Sequence, residues 1–314
     1  MTVSDRLRVA VVGVGYLGRH HARILAQLDG VELAGVVDRD PARAQEVAGA
    51  HGTRAFTRVA DLPPVDAVTI AVPTASHAAE AVPLLERGIA VLVEKPLART
   101  LDEADAIIEA AQRGGATLAV GHTERFNPAV TAALPHVTRP GFVEVHRLGT
   151  FPERSLDIDV VFDLMIHDLD VLLASVGGEV VSMEAVGVPV LTPRVDIANA
   201  RLRFDSGCIA NLTASRISRE RVRKVRFFQP HSYISIDYAS QEAEWYQLRT
   251  DSGKPVIEGG KLEITRDEPL RLELADFADA VRQRRQPRVT GADGRRALAL
   301  AHRITSLIDE GFPA

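Results

Sequence analysis

The sequence is poor in the residues that form covalent or metal cross-links. Its 314 residues include a single cysteine, Cys208, which excludes an intramolecular disulfide and a cluster of thiolate ligands. Histidine is more frequent, but the histidines have no metal-ligand spacing, and the sequence predicts no metal site. A function for this chain therefore has to rest on other residues.

An excess of positive charge and long apolar runs are missing as well. The formal net charge of −5 gives no general attraction to nucleic acid, so no nucleic-acid partner is expected. No run approaches the length of about 18 apolar residues that spans a membrane. The start, “MTVSDRLRVAVVGVG”, lacks the apolar segment and cleavage site of a signal peptide. With 46% hydrophobic and 25% charged residues, the composition is typical of a globular protein, and we expect a cytoplasmic enzyme.

The pattern of apolar segments changes near residue 122. Before it, nearly all-apolar strands alternate with Ala-rich helical stretches, which predicts a doubly wound parallel sheet. After it, “ARLRF-DSG-CIANLTAS” predicts a hairpin with one buried and one polar face. We therefore expect an α/β protein with a Rossmann domain over 1–122 and an α+β domain over 123–314, whose large open sheet is mainly antiparallel. A last helix is expected near 295–311, and whether it packs back on the first domain is left open.

Three glycines, Gly13, Gly15 and Gly18, follow the first predicted strand and precede a helical pattern. In this arrangement the first glycine permits a tight turn and the second lets a pyrophosphate approach the backbone. The third allows close packing of the helix on the strand. Asp38 ends the second strand twenty residues after Gly18, where its carboxylate can accept hydrogen bonds from a ribose. These residues predict a dinucleotide site at the start of the helix.

The residues at the end of the second strand bear on the choice of dinucleotide. Asp38 favours NAD, because its negative charge would repel the 2′-phosphate of NADP. Arg39 follows it directly and either weakens this preference or stacks on the adenine. We expect NAD as the cofactor, with NADP as the alternative that Arg39 leaves open.

Two further segments contain candidate catalytic groups. “VLVEKPLART” places Lys95 at the end of a predicted strand, in the ligand crevice of such a sheet, and Pro96 keeps it extended. “FDLMIHDLD” places Asp163, His167 and Asp170 on one stripe of a predicted helix. Three titratable groups on one stripe form either a satisfied polar seam or a working site. Asp170 is expected to be structural.

Five segments together indicate a family: “GVGYLGRHHA” (13–22), “AVPTASH” (71–77), “EKP” (94–96), “ERFNPAV” (124–130) and “FDLMIHDLD” (162–170). With them the chain resembles the glucose–fructose oxidoreductase and inositol dehydrogenase family, often written Gfo/Idh/MocA, over nearly its whole length. The resemblance implies a Rossmann domain followed by an open antiparallel sheet. It also implies that this sheet forms subunit contacts, so a homodimer or homotetramer is expected.

The resemblance implies that Lys95, Asp163 and His167 surround a substrate and the nicotinamide. His167 would take the proton of a sugar hydroxyl while a hydride leaves the carbon for NAD, since histidine ordinarily titrates near neutrality. Lys95 would stabilise the oxygen or share the proton relay, and Asp163 would orient His167 or bind a neighbouring hydroxyl. Implied contacts to the cofactor are made by Tyr16, Leu17, Thr74, His77, Glu94 and Lys95.

The segment “FPERSLDIDVVFDLMIHDLDVLL” (151–173) is similar to a subgroup that oxidises the 3-hydroxyl of a nucleotide sugar, UDP-N-acetylglucosamine. A diphosphate needs cationic partners, for which Arg125, Arg154 and the basic stretch 216–226 are candidates. Each of them can equally be an ordinary surface or interdomain residue.

Two alternatives to this substrate stay open at the level of sequence. The first is a myo-inositol or free-sugar dehydrogenase, since the family acts on several carbinols. The second is a regulator that binds NAD without catalysis. The presence of Lys95 and His167 argues against the regulator.

Overall fold

The computed structural model describes residues 6–151, 158–250 and 254–311. The chain divides into two compact units, the first formed by Met1–His122 with Leu270–Arg295 and the second by Thr123–Pro269 with Arg296–Ala314. Within the described ranges, no helix is both long and apolar enough to cross a membrane. The helices are α1 (Gly18–Leu25), α2 (Pro41–His51), α3 (His77–Glu86), α4 (Leu101–Gly114), α5 (Pro128–Ala133), α6 (Ile166–Val176), α7 (Pro269–Gln283) and α8 (Gly291–Gly311).

The first unit contains a six-stranded parallel sheet in the order β3-β2-β1-β4-β5-β6. Its central strands are mostly apolar and almost entirely buried, as expected for a parallel sheet covered by helices. All strands run parallel, but the order in which they follow one another along the chain reverses between β1 and β4, and such folds bind ligands there, beyond the carboxyl ends of the strands. Its strands are β1 (Leu7–Val12), β2 (Val31–Val37), β3 (Ala55–Phe56), β4 (Ala67–Ile70), β5 (Ala90–Glu94) and β6 (Leu118–Gly121).

The second unit contains an eight-stranded sheet in the order β14-β13-β12-β11-β7-β10-β9-β8. Strands β7 and β10 pair in parallel, and the other neighbours pair antiparallel. The predicted α/β class, with a parallel sheet and a large, mainly antiparallel one, is confirmed. The strands are β7 (Phe142–Leu148), β8 (Val180–Val188), β9 (Ile197–Phe204), β10 (Ile209–Ser215), β11 (Val222–Gln229), β12 (Ser232–Asp237), β13 (Glu242–Arg249) and β14 (Val256–Lys261).

One face of this sheet forms the core of the second unit. Alternate residues of the predicted hairpin, Leu202 and Phe204 on β9 and Ala210, Leu212 and Ala214 on β10, are buried. They join residues of α6 in one apolar cluster. The period of two therefore indicated correctly which face is buried.

Helix α7 belongs to the first unit. The second domain, predicted as one continuous segment over 123–314, is therefore interrupted. Its residues Leu274 and Phe277 are buried in the same cluster as Val9 of β1. The amphipathic pattern of a helix shows which face is buried, but it does not indicate which sheet covers that face. The boundary at residue 122 therefore divides the units only once the returning segment 270–295 is added to the first.

The last helix, α8, contributes its buried residues to the second unit. Ala297, Leu300 and Ile304 lie in the cluster that covers the large sheet. The sequence left open that residues 295–311 pack on the first domain, and residues from Arg296 onward instead belong to the second unit. The sequence could not decide between the two units, because the apolar face of a helix does not by itself specify the sheet on which it packs.

Candidate active site

The glycine loop after β1 has the geometry of a phosphate-binding turn. Gly13 has a φ of 84°, and a Cβ there would lie 2.7 Å from Cγ1 of Val72. A Cβ on Gly18 would collide with the carbonyl oxygen of Gly13, because the turn and the helix start touch. Beside Gly15, by contrast, no atom of the described residues lies within 4 Å of the position a Cβ would take. The loop thus leaves room at Gly15 for a pyrophosphate to approach the main chain.

The first turn of α1 follows directly on this loop. Leu17 caps the helix without a side-chain hydrogen bond, so its side chain does not satisfy the N–H groups of the first turn. Tyr16 and Leu17 are 59% and 41% exposed, so both are accessible to a ligand. Their predicted contact with the cofactor stays a prediction.

Asp38 is held rigidly beside the glycine loop. Its Oδ2 accepts from the N–H of Val14 at 3.0 Å, and its Oδ1 accepts from the N–H of Asp40 at 2.9 Å. Arg43 donates a longer bond of 3.4 Å to Oδ1. The neighbouring Arg39 side chain is 81% exposed, with Glu80 at 3.9 Å. The carboxylate is therefore oriented before any ribose binds, and two arginines lie beside it.

Thr74 and His77 follow β4 at the carboxyl edge of the sheet. Thr74 is half-buried at the start of a short 3-10 helix. The buried ring of His77 lies 3.0 Å from the carbonyl oxygens of both Val72 and Pro96. Burial lowers the pKa of His77, although the two carbonyl groups favour its charged form. His77 thus joins two loops of the site, and a direct contact with the cofactor stays a prediction.

Glu94 and Lys95 end the neighbouring strand, β5. Glu94 is buried, and its Oε2 accepts from the main-chain N–H of Lys95 at 3.1 Å. Its Oε1 lies 3.0 Å from Nε2 of His21 in α1. Burial raises the pKa of Glu94, but the His21 hydrogen bond and the positive charge of Lys95 outweigh it and lower the pKa. Lys95 is half-buried, and its peptide bond to Pro96 is cis.

The second unit contains the other predicted catalytic residues, on an irregular helix. Val161–Met165 form a π-helix, and α6 continues from Ile166. A π turn contains an extra residue, so a stripe drawn for a straight α-helix does not describe this first turn. Asp163 and His167 are half-buried. Such π segments are frequent at functional sites, which agrees with the predicted role of Asp163.

Asp168, which the sequence analysis did not single out, forms a buried bidentate ion pair with Arg147. The Asp168 carboxylate accepts from Nε and Nη2 of Arg147 at 2.6 and 2.9 Å, and both side chains are buried. Arg147 also donates to Glu124 at 3.1 Å and lies 5.2 Å from the ring centre of Tyr238. Burial opposes the charged form of Arg147, but the charges of Asp168 and Glu124 outweigh it and raise its pKa. The alternation of “FVEVHRL” (142–148) was the available signal, because it places Arg147 on the buried face.

The candidate substrate residues have different positions. Arg125 donates to Asp170 at 3.2 Å, and the side chains are 12% and 2% exposed. Asp170 thus has the structural partner that its predicted role requires. Arg154 lies outside the described residues. A substrate contact by Arg125, Arg154 or Asp163 stays a prediction.

The basic stretch 216–226 separates into buried and exposed cations. Arg216 is buried, and its Nε donates to Asp196 at 2.8 Å. Lys224 and Arg226 form partly exposed pairs with acidic neighbours on adjacent strands. Arg223 is exposed and lies directly opposite Arg147 in the β11–β7 register. The residues of this stretch therefore have different roles, and neither solvated surface nor phosphate site describes all of them.

Comparison with known proteins identifies the class. Residues 7–122 match the oxidoreductase family with an NAD-binding Rossmann fold, and residues 138–229 match the GFO/IDH/MocA C-terminal domain. The chain belongs to this oxidoreductase family, and the family predicted from the sequence is confirmed.

Particular relatives extend the match over the whole chain. Over 96% of this chain and 97% of the relative, it is 39% identical to UDP-N-acetylglucosamine 3-dehydrogenase of Acidithiobacillus ferrooxidans. It is 27% identical to scyllo-inositol 2-dehydrogenase (NAD(+)) of Bacillus subtilis, covering 99% and 96% of the two chains. A solved structure of the dehydrogenase GnnA from A. ferrooxidans matches with a TM-score of 0.91 and 38% identity, over 97% of this chain and 98% of that one. These relatives are dehydrogenases, so the predicted enzyme class is confirmed.

Proposed function

We propose that this enzyme oxidises the 3-hydroxyl of UDP-N-acetylglucosamine to a ketone with NAD. The observation that supports the substrate is 39% identity over 96% of the chain to an enzyme of that name, with a fold match of TM-score 0.91. The inositol dehydrogenase is less similar, at 27%. The nucleotide sugar is therefore the first substrate to test, and inositol the second.

The residues of the first unit fit NAD as the cofactor. Gly15 leaves open space for the pyrophosphate, and the positive end of the α1 helix dipole favours an anion there. Asp38, already oriented by two main-chain N–H groups, accepts from the ribose hydroxyls and repels a 2′-phosphate. Arg39 extends into solvent, where its guanidinium either contacts a 2′-phosphate or stacks on the adenine. When bound there, NAD would supply the hydride acceptor for the sugar carbon.

Two side chains act on the sugar hydroxyl in this proposal. His167 accepts the hydroxyl proton as the hydride leaves, since a half-buried imidazole on a helix can exchange that proton with solvent. Lys95 donates a hydrogen bond to the oxygen as negative charge develops on it. Asp163 orients His167 or binds a neighbouring hydroxyl. The buried Glu94 carboxylate keeps the Lys95 main chain in place.

The diphosphate of the substrate requires cations that are not already neutralised. Arg223 is suited to this task, because its side chain is on the sheet face shared with Arg147, whose guanidinium is occupied by Asp168 and Glu124. A second arginine directly opposite a first raises the local positive potential, which an anion relieves. Arg125 already pairs with Asp170 and is therefore less suited to this role, for which Arg154 remains a candidate.

We also infer that the enzyme is a homo-oligomer joined through the open face of the large sheet. Four aromatic rings form a row across β7, β11, β12 and β13, with ring-centre separations of 5.6, 5.2 and 6.5 Å. A row of aromatics on an uncovered sheet face is typical of an interface. The row consists of Phe142, Phe228, Tyr233 and Tyr246. The cytoplasmic location expected from the sequence stays a prediction.

The test of the substrate is NADH formation with UDP-N-acetylglucosamine, beside a matched assay with myo-inositol. Both assays contain a carbonyl trap, because alcohol oxidation by NAD is uphill. We expect NADH to accumulate only with the nucleotide sugar. NADH only with inositol would overturn the substrate and keep the chemistry, whereas NADH with neither would remove both substrates from consideration.

A further inference from the structure

A buried histidine of the dinucleotide helix contacts the strand end that contains Lys95. His21, in α1, is fully buried, and its Nε2 lies 3.0 Å from Oε1 of Glu94. Among the described residues its Nδ1 has no hydrogen-bond partner, so the bond to Glu94 accounts for the polar contacts of this ring. A buried ring nitrogen without a partner costs free energy, so the presence of His21 at this position calls for an explanation.

The Glu94 carboxylate is fixed on three sides. His21 holds Oε1, and the Lys95 N–H holds Oε2. On the third side lies Gly121 of the adjacent strand, where a Cβ would be only 3.0 Å from Cδ and Oε2 of Glu94. The absence of a side chain at Gly121 therefore leaves the space that the carboxylate occupies. A carboxylate with this little freedom can determine the position of the residue that follows it.

We propose that His21 is a positioning residue for Lys95, acting through Glu94. By donating from Nε2 to the buried carboxylate, His21 keeps Glu94 charged and oriented, and Glu94 in turn holds the Lys95 main chain and attracts its ammonium group. The proposal rests on the proposed catalytic role of Lys95. In this proposal, helix α1 both faces the dinucleotide phosphates with its N-terminus and helps to position Lys95 through His21.

The effect of removing His21 follows from the forces on Glu94. Burial is the largest influence on this carboxyl and raises its pKa, and the His21 hydrogen bond is the main force that opposes it. In wild-type protein the pKa is lowered, so Glu94 is ionised at every pH above its ordinary range. Without His21, burial dominates, the pKa of Glu94 rises, and Glu94 becomes protonated as the pH falls towards that higher value.

The experiment compares His21→Leu, which removes the donor at similar volume, with His21→Gln, whose side-chain amide can donate to Glu94. For His21→Leu we expect kcat to fall about tenfold to a hundredfold, the size of effect typical of residues that orient a functional group. We also expect the acid limb of its pH–rate profile to move to higher pH. His21→Gln should restore most of the activity and the wild-type profile.

A second readout does not need turnover. Carbon-13 NMR of the side-chain carboxyls in the protein without substrate, assigned with Glu94→Gln, reports the pKa of Glu94 directly. It should rise in His21→Leu and return towards the wild-type value in His21→Gln. An unchanged Glu94 pKa in His21→Leu would overturn the proposal. This readout stays decisive even when the substrate proposal fails and the wild-type protein shows no turnover.

Leu25→Ala is the control for simple destabilisation of α1, because Leu25 is fully buried in the same helix and packs in the apolar cluster of the unit. We expect it to lower the melting temperature while the pH–rate profile and the Glu94 pKa stay as in wild type. If Leu25→Ala shifts both as much as His21→Leu does, His21 contributes only to stability and the positioning role is refuted.

Discussion

Arg147 of β7 and Asp168 of α6 form a buried bidentate ion pair, with 2.6 Å between Nε and Oδ2 and 2.9 Å between Nη2 and Oδ1. The side chains are 4% and 2% exposed. Asp168 directly follows His167, so the pair fixes the start of α6 against the large sheet. The fold of the second unit thereby determines where its predicted catalytic histidine lies.

Replacing one partner of this pair should destabilise the protein strongly. Asp168→Asn leaves Arg147 charged and buried with Glu124 alone, and we expect a loss of about 3–5 kcal/mol in the free energy of unfolding. Urea unfolding measures it. Arg226→Ala is the control, since its pair with Glu144 is 39% and 30% exposed and should contribute less than about 1 kcal/mol. Equal losses in the two variants would contradict the argument.

Loss of the charge on Asp38 should weaken the preference for NAD. In Asp38→Ser the carboxylate that repels a 2′-phosphate is gone, while the hydroxyl can still accept one main-chain hydrogen bond. We expect the ratio of kcat/KM for NAD over NADP to fall by about tenfold or more, equivalent to about 1.4 kcal/mol. Arg39→Ala should lower the affinity for NADP more than for NAD. An unchanged ratio in Asp38→Ser would show that another residue selects the cofactor.

The proton-accepting role of His167 predicts a selective loss of turnover. His167→Ala should lower kcat by about a hundredfold to ten-thousandfold, the usual contribution of a general base. It should still bind NADH, measured by fluorescence titration, because the dinucleotide site is formed by the first unit. His51→Ala, a half-buried histidine at the end of α2, should keep kcat within about twofold. A His167→Ala enzyme with wild-type turnover would show that another group accepts the proton.

Asp196 predicts a loss of stability in acid. Burial alone would raise its pKa, but the N–H groups of Leu191 and Thr192 and the Arg216 guanidinium hold the pKa well below its usual value. A carboxyl whose pKa is lowered by folding stabilises the protein above its unfolded pKa of about 3.9 and loses this contribution as the pH falls through the folded pKa.

The corresponding experiment measures unfolding free energy from neutral pH to about pH 3. Wild type should lose stability progressively below about pH 5. Asp196→Asn should be less stable at neutral pH, by about 3–5 kcal/mol, because it leaves Arg216 buried without its partner. Its stability should also depend less on pH in the acid range. Parallel pH curves for the two proteins would refute the assignment.

The aromatic row predicts a change in assembly. Tyr246→Glu places a charge on the open face, where Tyr246 is 36% exposed, and should shift the protein towards monomer in light-scattering measurements of molar mass. Gln112→Glu adds the same charge at an exposed position of α4 in the first unit, and it should leave the molar mass unchanged. If both variants keep the wild-type mass, the interface lies elsewhere.

The sequence by itself determined those helices, strands and turns that depend only on residues close to one another along the chain. The strands of the first unit, the glycine turn and the hairpin of β9 and β10 depend on local spacing and alternation, which are visible in the letters. Gly13 illustrates this, because the pattern around it indicated the tight turn that its φ of 84° shows. The family resemblance added Lys95 and His167 as candidates, and their roles remain predictions.

Only the tertiary structure decided which distant residues meet. The His21–Glu94 contact joins positions 73 residues apart, and the Arg147–Asp168 pair joins a strand to a helix. Helix α7 likewise returns to the first unit from beyond the second. Such partners depend on how buried faces and charges are matched in three dimensions, since burial makes an unpaired charge costly and thereby selects its partner. A local pattern contains the charge and the face, but not the residue that neutralises or covers it.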